Sequence, residues 1–156
     1  MKISYFLCKD EVTNDLSAST KSELITEMLV SLVDAGAIEK KHKNKVIEIL
    51  MAREALGSTA IGQGIAIPHG KSDATTQLVA ALGISKKGIN FDSLDGEPAY
   101  IFFLLVAPAD SAGPHLKALA RVSRLLKDKF FRESLKHAKS KKEILDLMFQ
   151  EDSRIS

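Results

Sequence analysis

The sequence contains a single cysteine, Cys8, so no disulfide can form within the chain. A lone cysteine usually packs as a small hydrophobic residue, and we expect Cys8 to be buried or half-buried. The sequence lacks H-E-x-x-H and any cysteine and histidine spacing typical of zinc ligands. It therefore predicts no metal site and no cofactor.

Long apolar runs are also missing. The longest, residues 99–107, is far shorter than the roughly 20 residues of a membrane helix. The apolar patch near the N-terminus ends at Lys9, which is too early for the roughly 7–15-residue core of a secretion signal. We therefore expect a cytoplasmic protein without membrane insertion.

The remaining composition is that of an ordinary folded protein. The 156 residues are 45% apolar and 27% charged, which excludes disordered and collagen-like classes. That length is enough for one domain, residues 1–156, with a full hydrophobic core. The formal net charge of +2 gives little reason to expect nucleic acid as a partner.

Helical signals lie in both halves of the chain. A capping box at Thr20–Glu23 and Gly36 predict a first helix over residues 20–35. A second helix is expected over about 39–53. A third region starts at residues 113–115 and continues in phase to Phe130, and a second capping box, Ser140–Glu143, begins the last helix.

Four short segments predict strands: residues 3–7, 65–67, 78–84 and 99–107. Residues 86–88, Lys-Lys-Gly, are typical of a turn. A continuously apolar strand such as 99–107 is covered on both faces. Helices must then flank the sheet on two sides, so the pattern predicts an α/β domain in three layers.

His69 is the first candidate for chemistry. It follows the short strand and Pro68, which should end the strand pairing, and precedes Gly70, which should allow a sharp turn. A histidine at the end of a strand lies where open α/β sheets place their ligand sites. Imidazole is largely neutral at pH 7. Local rules leave both a functional histidine and an ordinary turn histidine open.

Three further positions could support an anion beside His69. His115 follows Pro114 at the expected helix start, where backbone N–H groups attract anions. Arg53 ends the second helix, and its planar fork of donors suits phosphate. Ser58 and Thr59 could add hydroxyl donors. Each is also common as a plain surface residue. His42 and His137 lie in lysine-rich segments and are expected on the surface.

Gly70-Lys71-Ser72 invites comparison with a nucleotide-binding P-loop, G-x-x-x-x-G-K-[ST]. The first glycine of that motif would fall on Ile65, and Pro68 and His69 would occupy the phosphate-wrapping loop. The spacing therefore argues against a nucleotide triphosphatase.

Residues 54 and 61–70 together resemble a known signature. Glu54, followed by the run Ile-Gly-x-x-Ile-Ala-Ile-Pro-His-Gly, is similar to the active-site pattern of enzyme IIA proteins of the fructose/mannitol/nitrogen-regulatory class. These proteins belong to the bacterial phosphoenolpyruvate-dependent phosphotransferase system. Arg53, residues 57–59, Asp92 and residues 114–116 also fall where that family carries comparable residues, so the resemblance covers nearly the whole chain.

The resemblance implies a fold, a reaction and partners. The fold would be a mixed β-sheet with helices on both faces. His69 would accept a phosphoryl group from the phosphohistidine of an HPr-type carrier, with His115 and Arg53 contacting the phosphate. Ser58, Thr59 and Gly70 are candidates for phosphate or partner binding. The resemblance implies no cofactor.

Two functions fit this resemblance. A nitrogen-regulatory IIA would bind regulated target proteins according to its phosphorylation state, and this reading is preferred. The alternative is a stand-alone sugar IIA that donates phosphate to the cysteine of a separate IIB domain.

The small net charge conceals an uneven distribution. Residues 115–142, here called the basic segment, contain ten lysines and arginines against two acidic residues. The segment begins at the proposed phosphate site. It is either a solvated helix surface or a surface that attracts an acidic or phosphorylated partner.

Overall fold

Six strands and five α-helices form between residues 2 and 155, the part of the chain that the computed structural model describes; the side chains of Cys8 and Lys9 lie outside it. The expectation for Cys8 therefore falls outside the described residues. The strands are Leu7–Thr13 (β1), Ala60–Gly62 (β2), Ile65–Ala66 (β3), His69–Ser72 (β4), Val79–Ile89 (β5) and Ala99–Pro108 (β6). The helices are Lys21–Asp34 (α1), Lys43–Leu56 (α2), Ala112–Leu125 (α3), Lys129–Lys136 (α4) and Lys141–Arg154 (α5).

The strands form one mixed sheet in the order β1-β5-β6-β3-β2, and β4 also pairs with β6. β5 runs antiparallel to β6, whereas β3 and β4 run parallel to it, one after the other. β1 runs parallel to β5 at one end of the order. The strand made from the continuous apolar run, β6, thus lies inside the sheet, as its composition requires.

Alternate side chains of β6 enter two separate cores. Ile101, Phe103 and Leu105 pack with buried residues of α3, α4 and α5. Residues 102, 104 and 106 pack on the opposite face with α1 and α2. The predicted α/β class, with helices on both faces of a mixed sheet, is confirmed. None of the helices between residues 2 and 155 is long and apolar enough to cross a bilayer.

The capping signals locate two helix starts correctly. The Thr20 hydroxyl accepts the amide of Glu23, and Ser140 accepts the amide of Glu143. Each glutamate bonds back to the amide just before its cap rather than to the cap itself. Gly36, at φ +81°, ends the first helix as expected. The second helix spans 43–56 rather than 39–53, because residues 40–42 form a 3₁₀ turn before it.

Two strand predictions are wrong at their boundaries. Residues 3–5 form a 3₁₀ turn, and the first strand is the more polar stretch Leu7–Thr13. The Lys86–Gly88 segment lies inside β5 as an irregularity in the pairing between Ile84 and Ile89. Gly88 adopts φ +82° there and donates its amide to Ser85. A glycine with positive φ marks a bulge as well as a turn, so the local signal could not separate them.

The third helical region is two helices. Asp128 accepts the amides of Phe130 and Phe131 and so starts α4 at Lys129, four residues after the last residue of α3. The new start changes the phase, so Phe131 is buried and Phe130 is 84% exposed. Helical spacing that continues to Phe130 predicts this residue on the inward face, and that prediction is wrong.

Candidate functional site

His69 begins β4 instead of following the end of a strand. The expectation that Pro68 ends the pairing is wrong, because its carbonyl accepts the amide of Leu105 at 2.9 Å. His69 then pairs with Leu105 in parallel register. Proline removes only a donor, so its acceptor still holds the chain against β6. His69 therefore lies along the sheet at the junction of two short strands.

The imidazole of His69 is held by one hydrogen bond. Its Nδ1 lies 2.7 Å from the carbonyl oxygen of Ile67, so Nδ1 carries the proton and donates it. Nε2 of the neutral ring then has its lone pair available. Burial lowers the pKa of His69, and the positive charge of Arg53 lowers it further; the Ile67 bond and Glu54 act in the opposite direction. The half-buried ring is thus neutral at pH 7.

His115 is the fourth residue of α3 and lies further into the helix than expected, because the helix begins at Ala112 with Ser111 as its cap. Its amide donates to the Ser111 carbonyl at 3.3 Å and is part of the helix. The sequence predicts that backbone N–H groups at this position attract an anion. Because the amide of His115 is already bonded, only its side chain can contact such a ligand. The His115 ring centroid lies 5.3 Å from that of His69.

The ring of His115 is neutral and incompletely bonded. The residue is only 5% exposed, and its Nδ1 has no hydrogen-bond partner among the described residues. Burial lowers the pKa of His115 to about 4, followed by repulsion from His69 when that ring is protonated and from Lys71. A neutral imidazole keeps one N–H, so His115 can donate one hydrogen bond to a ligand beside His69.

Arg53 lies in the last turn of α2. Its Nη1 donates to the Gly57 carbonyl at 2.9 Å, which anchors the guanidinium at the end of the helix. The charge is near enough to lower the pKa of His69. The rings of His69 and His115 are therefore neighbours, and Arg53 is close enough to act on His69 through its charge.

Glu54 anchors a buried network that sequence reasoning missed. It is 5% exposed and accepts the Thr59 amide at 3.0 Å as well as the Thr59 hydroxyl. Lys21 approaches it at 3.2 Å and also pairs with Asp92 at 2.9 Å. Within the sequence, Lys21 is only the first residue of a helix, so no local signal indicates this pairing. The network fixes the loop that follows Arg53.

The other candidate residues have defined contacts. The Ser58 hydroxyl donates to the Phe91 carbonyl, and that of Thr59 donates to Glu54. The expected sharp turn at Gly70 is wrong, since Gly70 lies in β4 and is required for packing. A Cβ added there would lie 2.9 Å from Cγ2 of Ile49 in α2. Phosphate or partner binding by Ser58, Thr59 and Gly70 stays a prediction.

Lys71 is a charged neighbour of the two histidines, and in the sequence it stands out only as part of the incomplete P-loop pattern. It is exposed in β4, the strand that begins with His69, and its charge contributes to the lowered pKa of His115. Together with Arg53 it makes the surroundings of the two neutral rings positive. Such an arrangement suits an anion with several oxygens. The described residues contain no group of three or more metal-ligating side chains.

The basic segment forms α3, α4 and the start of α5, all on one face of the sheet. Arg121 is paired with Asp152, and Lys142 with Asp146. Exposed cations remain along the layer: Lys117, Arg124, Lys127, Lys129, Lys139 and Lys141. A role for them in attracting a partner stays a prediction.

Known proteins resemble the chain in sequence and in structure. It is 32% identical to a nitrogen regulatory protein of Bradyrhizobium diazoefficiens, over 95% of both chains. It is 37% identical to the PTS system fructose-specific EIIABC component of Bacillus subtilis, over 97% of this chain but 24% of that protein's length. The crystal structure of nitrogen regulatory protein IIA-Ntr from Neisseria meningitidis superposes with a TM-score of 0.84 at 32% identity, covering 94% of this chain and 98% of that one.

The family-wide comparison agrees with these relatives. The sequence model for the phosphoenolpyruvate-dependent sugar phosphotransferase system, EIIA 2, matches residues 5–151. That range includes every strand and all the candidate site residues. The chain therefore belongs to the EIIA 2 family of the phosphoenolpyruvate-dependent sugar phosphotransferase system.

Proposed function

We propose that His69 accepts a phosphoryl group from the phosphohistidine of an HPr-type carrier and that the protein passes this group on or signals its presence. The observation that carries the proposal is the hydrogen bond from Nδ1 to the Ile67 carbonyl, which leaves Nε2 as the nucleophile. The lowered pKa keeps that nitrogen unprotonated at neutral pH. Family membership supports a phosphotransferase role.

The proposed step balances without a further reactant. The Nε2 lone pair of His69 forms a bond to phosphorus while the donor's N–P bond breaks, and that electron pair returns to the donor imidazole. The Nδ1 proton stays on His69 and remains bonded to Ile67. That carbonyl stabilises the positive charge that the ring acquires.

The surrounding groups act on the phosphoryl oxygens. Phosphoryl transfer is catalysed mainly by positioning and by stabilising charge. Arg53 supplies a fixed positive charge with several donors, and His115 supplies one donor. Because His115 is neutral, it adds no positive charge that would hold the phosphoryl group against onward transfer.

Two destinations for the group follow from the relatives. We favour a nitrogen-regulatory role, in which phosphorylation changes the binding of regulated target proteins, because the chain is structurally close to a IIA-Ntr protein. The second candidate is a stand-alone fructose- or mannitol-type IIA that phosphorylates the cysteine of a separate IIB domain. Its support is the 37% identity to a fructose-specific component. In both cases we propose a cytoplasmic protein with one domain over residues 1–156.

The test is phosphorylation by phosphoenolpyruvate, enzyme I and HPr, followed by mass spectrometry of the intact protein. One acid-labile phosphate is expected on the wild type and none on His69→Ala. His137→Ala is the matched control, since His137 is exposed on α4's end. His115→Ala should accept phosphate but transfer it poorly. A fully phosphorylated His69→Ala protein overturns the assignment.

A second assay separates the two destinations. Phosphorylated protein is mixed with a purified fructose-type IIB, and loss of phosphate from His69 is followed with time. Rapid transfer to the IIB cysteine supports the sugar role. Retained phosphate, together with target proteins captured by only one phosphorylation state, supports the regulatory role.

A further inference from the structure

A cleft of about 370 Å³ lies beside the first strand, on the far side of β5 and β6 from His69. β1 forms one wall, and the C-terminal end of α1 and the start of α5 form the others. Its lining consists of Asp10, Glu11, Ser31, Asp34, Ala35 and Lys141. We call this the acidic cleft, since three of the six residues are carboxylates.

Glu11 is the unusual member of the acidic cleft. It is 1% exposed, and neither carboxylate oxygen has a hydrogen-bond partner in the described part of the chain. Buried polar groups are nearly always paired, and a carboxylate is costly to bury without a donor. By contrast, buried Glu54 accepts hydrogen bonds at both oxygens. Among the described residues, Glu11 is thus left with open acceptors.

The charges that face Glu11 come from three elements. Asp10 on β1 and Asp34 on α1 are negative, and Lys141 on α5 is positive. Burial is the main cause that raises the pKa of Glu11 to about 7; Asp10 and Asp34 raise it further, and Lys141 lowers it. The C-terminal end of a helix adds partial negative charge. The acidic cleft is therefore electrostatically suited to a cation.

The geometry favours a cation that brings its own N–H donors. Glu11 offers two acceptor oxygens without partners among the described residues, and Ser31 and Asp34 offer further acceptors along the same cleft. A guanidinium group can donate two parallel N–H bonds to one carboxylate, and an ammonium group carries three N–H donors.

We propose that the acidic cleft binds an organic ammonium or guanidinium group, with Glu11 as the buried acceptor and Asp34 at the rim. The group could be that of a free amine or of a lysine or arginine side chain on another protein. The chemistry is the same in both cases. The proposal does not depend on phosphorylation of His69.

The test is an NMR titration of the ¹⁵N-labelled protein at pH 8 and constant ionic strength. The probes are methylguanidine, putrescine and the blocked amino acid N-acetyl-lysine methylamide; tetramethylammonium, a cation without N–H donors, is the control. At least one N–H probe should saturate and shift the amides of residues 10–12 and 31–36. Binding of the free amines indicates a small ligand, and binding of blocked lysine alone indicates a protein side chain.

Variants tie the response to Glu11. Glu11→Gln should weaken binding at least tenfold, whereas Glu48→Gln, an exposed acid on α2, should leave it unchanged. Asp34→Asn, at an exposed position, should weaken it severalfold without disturbing the core. Lowering the pH from 8 to 5.5 should also weaken binding in the wild type, because Glu11 becomes protonated.

Three results overturn the proposal: equal saturation by tetramethylammonium, unchanged binding to Glu11→Gln, or no response to any N–H probe. A response of the same residues to Mg²⁺ alone would also overturn it and identify a metal site. Each can occur while His69 is phosphorylated normally, so failure here is distinct from failure of the proposed phosphotransfer.

Discussion

His115 and Glu11 occupy comparable positions on different sides of the molecule. Each is at least 95% buried, each has a polar atom without a partner among the described residues, and burial favours the neutral form of both. Their neighbours differ. His69 and Lys71 face His115, while Asp10 and Asp34 face Glu11. Burial is therefore the main cause of both pKa shifts, and the surrounding charges add to each shift and decide which ligand is attracted.

The comparison also gives opposite pH dependences. The folded state resists protonating His115 and resists ionising Glu11. Between about pH 4 and 7, His115 makes the protein more stable as the pH rises, and Glu11 makes it less stable. In the wild type the two effects oppose each other, so only variants separate them.

The largest expected effect is on catalysis. Arg53→Gln removes the fixed positive charge beside His69, and we expect the rate of phosphoryl transfer from HPr to fall about 100-fold or more. Rapid-quench measurement of phosphoprotein formation checks this. Arg124→Gln, at an exposed position on α3, is the control. A normal rate for Arg53→Gln would show that Arg53 does not act in phosphoryl transfer. The same variant should bind amines in the acidic cleft as the wild type does.

The next effect concerns Glu11. Above pH 7 the wild type must hold an ionised Glu11 whose pKa is raised from 4.5 to about 7, and below pH 4.5 it holds a neutral one. Glu11→Gln changes the free energy of unfolding, and we expect this change to be about 2–3 kcal/mol more stabilising at pH 8 than at pH 4. Urea denaturation at both pH values measures this difference. An equal effect at both would show that Glu11 is solvated or paired.

A smaller effect of opposite sign is expected for His115. Below its ordinary pKa of 6.5 the unfolded chain takes up a proton, while the folded chain resists until about pH 4, so stability is lost as the pH falls through this range. His115→Gln removes that loss. Between pH 7 and pH 4 the variant should therefore lose about 2 kcal/mol less unfolding free energy than the wild type. Identical pH profiles would contradict a buried, neutral His115.

The smallest effect tests the neighbours directly. Lys71→Gln removes an exposed positive charge that lowers the pKa of His115, so that pKa should rise slightly. NMR titration of the histidine ring protons measures it, and Lys139→Gln serves as the control. No change would show that burial and His69 alone account for the low pKa of His115. A fall in that pKa would contradict the expected effect of Lys71.

Much of the fold follows from signals that extend over only a few residues. The bond between Thr20 and Glu23 spans three residues, and a continuous apolar run such as β6 must be covered on both faces wherever it lies. The segment around His69 was likewise recognisable as a local pattern. The failures at Pro68 and at Gly88 share one cause. Proline and glycine report a local backbone restriction, but the pairing partner decides whether the strand continues.

The order of amino acids alone thus located the helix caps at Thr20 and Ser140 and made His69, His115 and Arg53 candidates, while their roles came only from the family resemblance. Contacts between distant segments set the charge states. Lys21 meets Glu54 because α1 packs beside α2, and Glu11 loses water because α1 and α5 close over β1. The free energy of burying a charge depends on every group that replaces the surrounding water. Those groups come together only when the chain has folded.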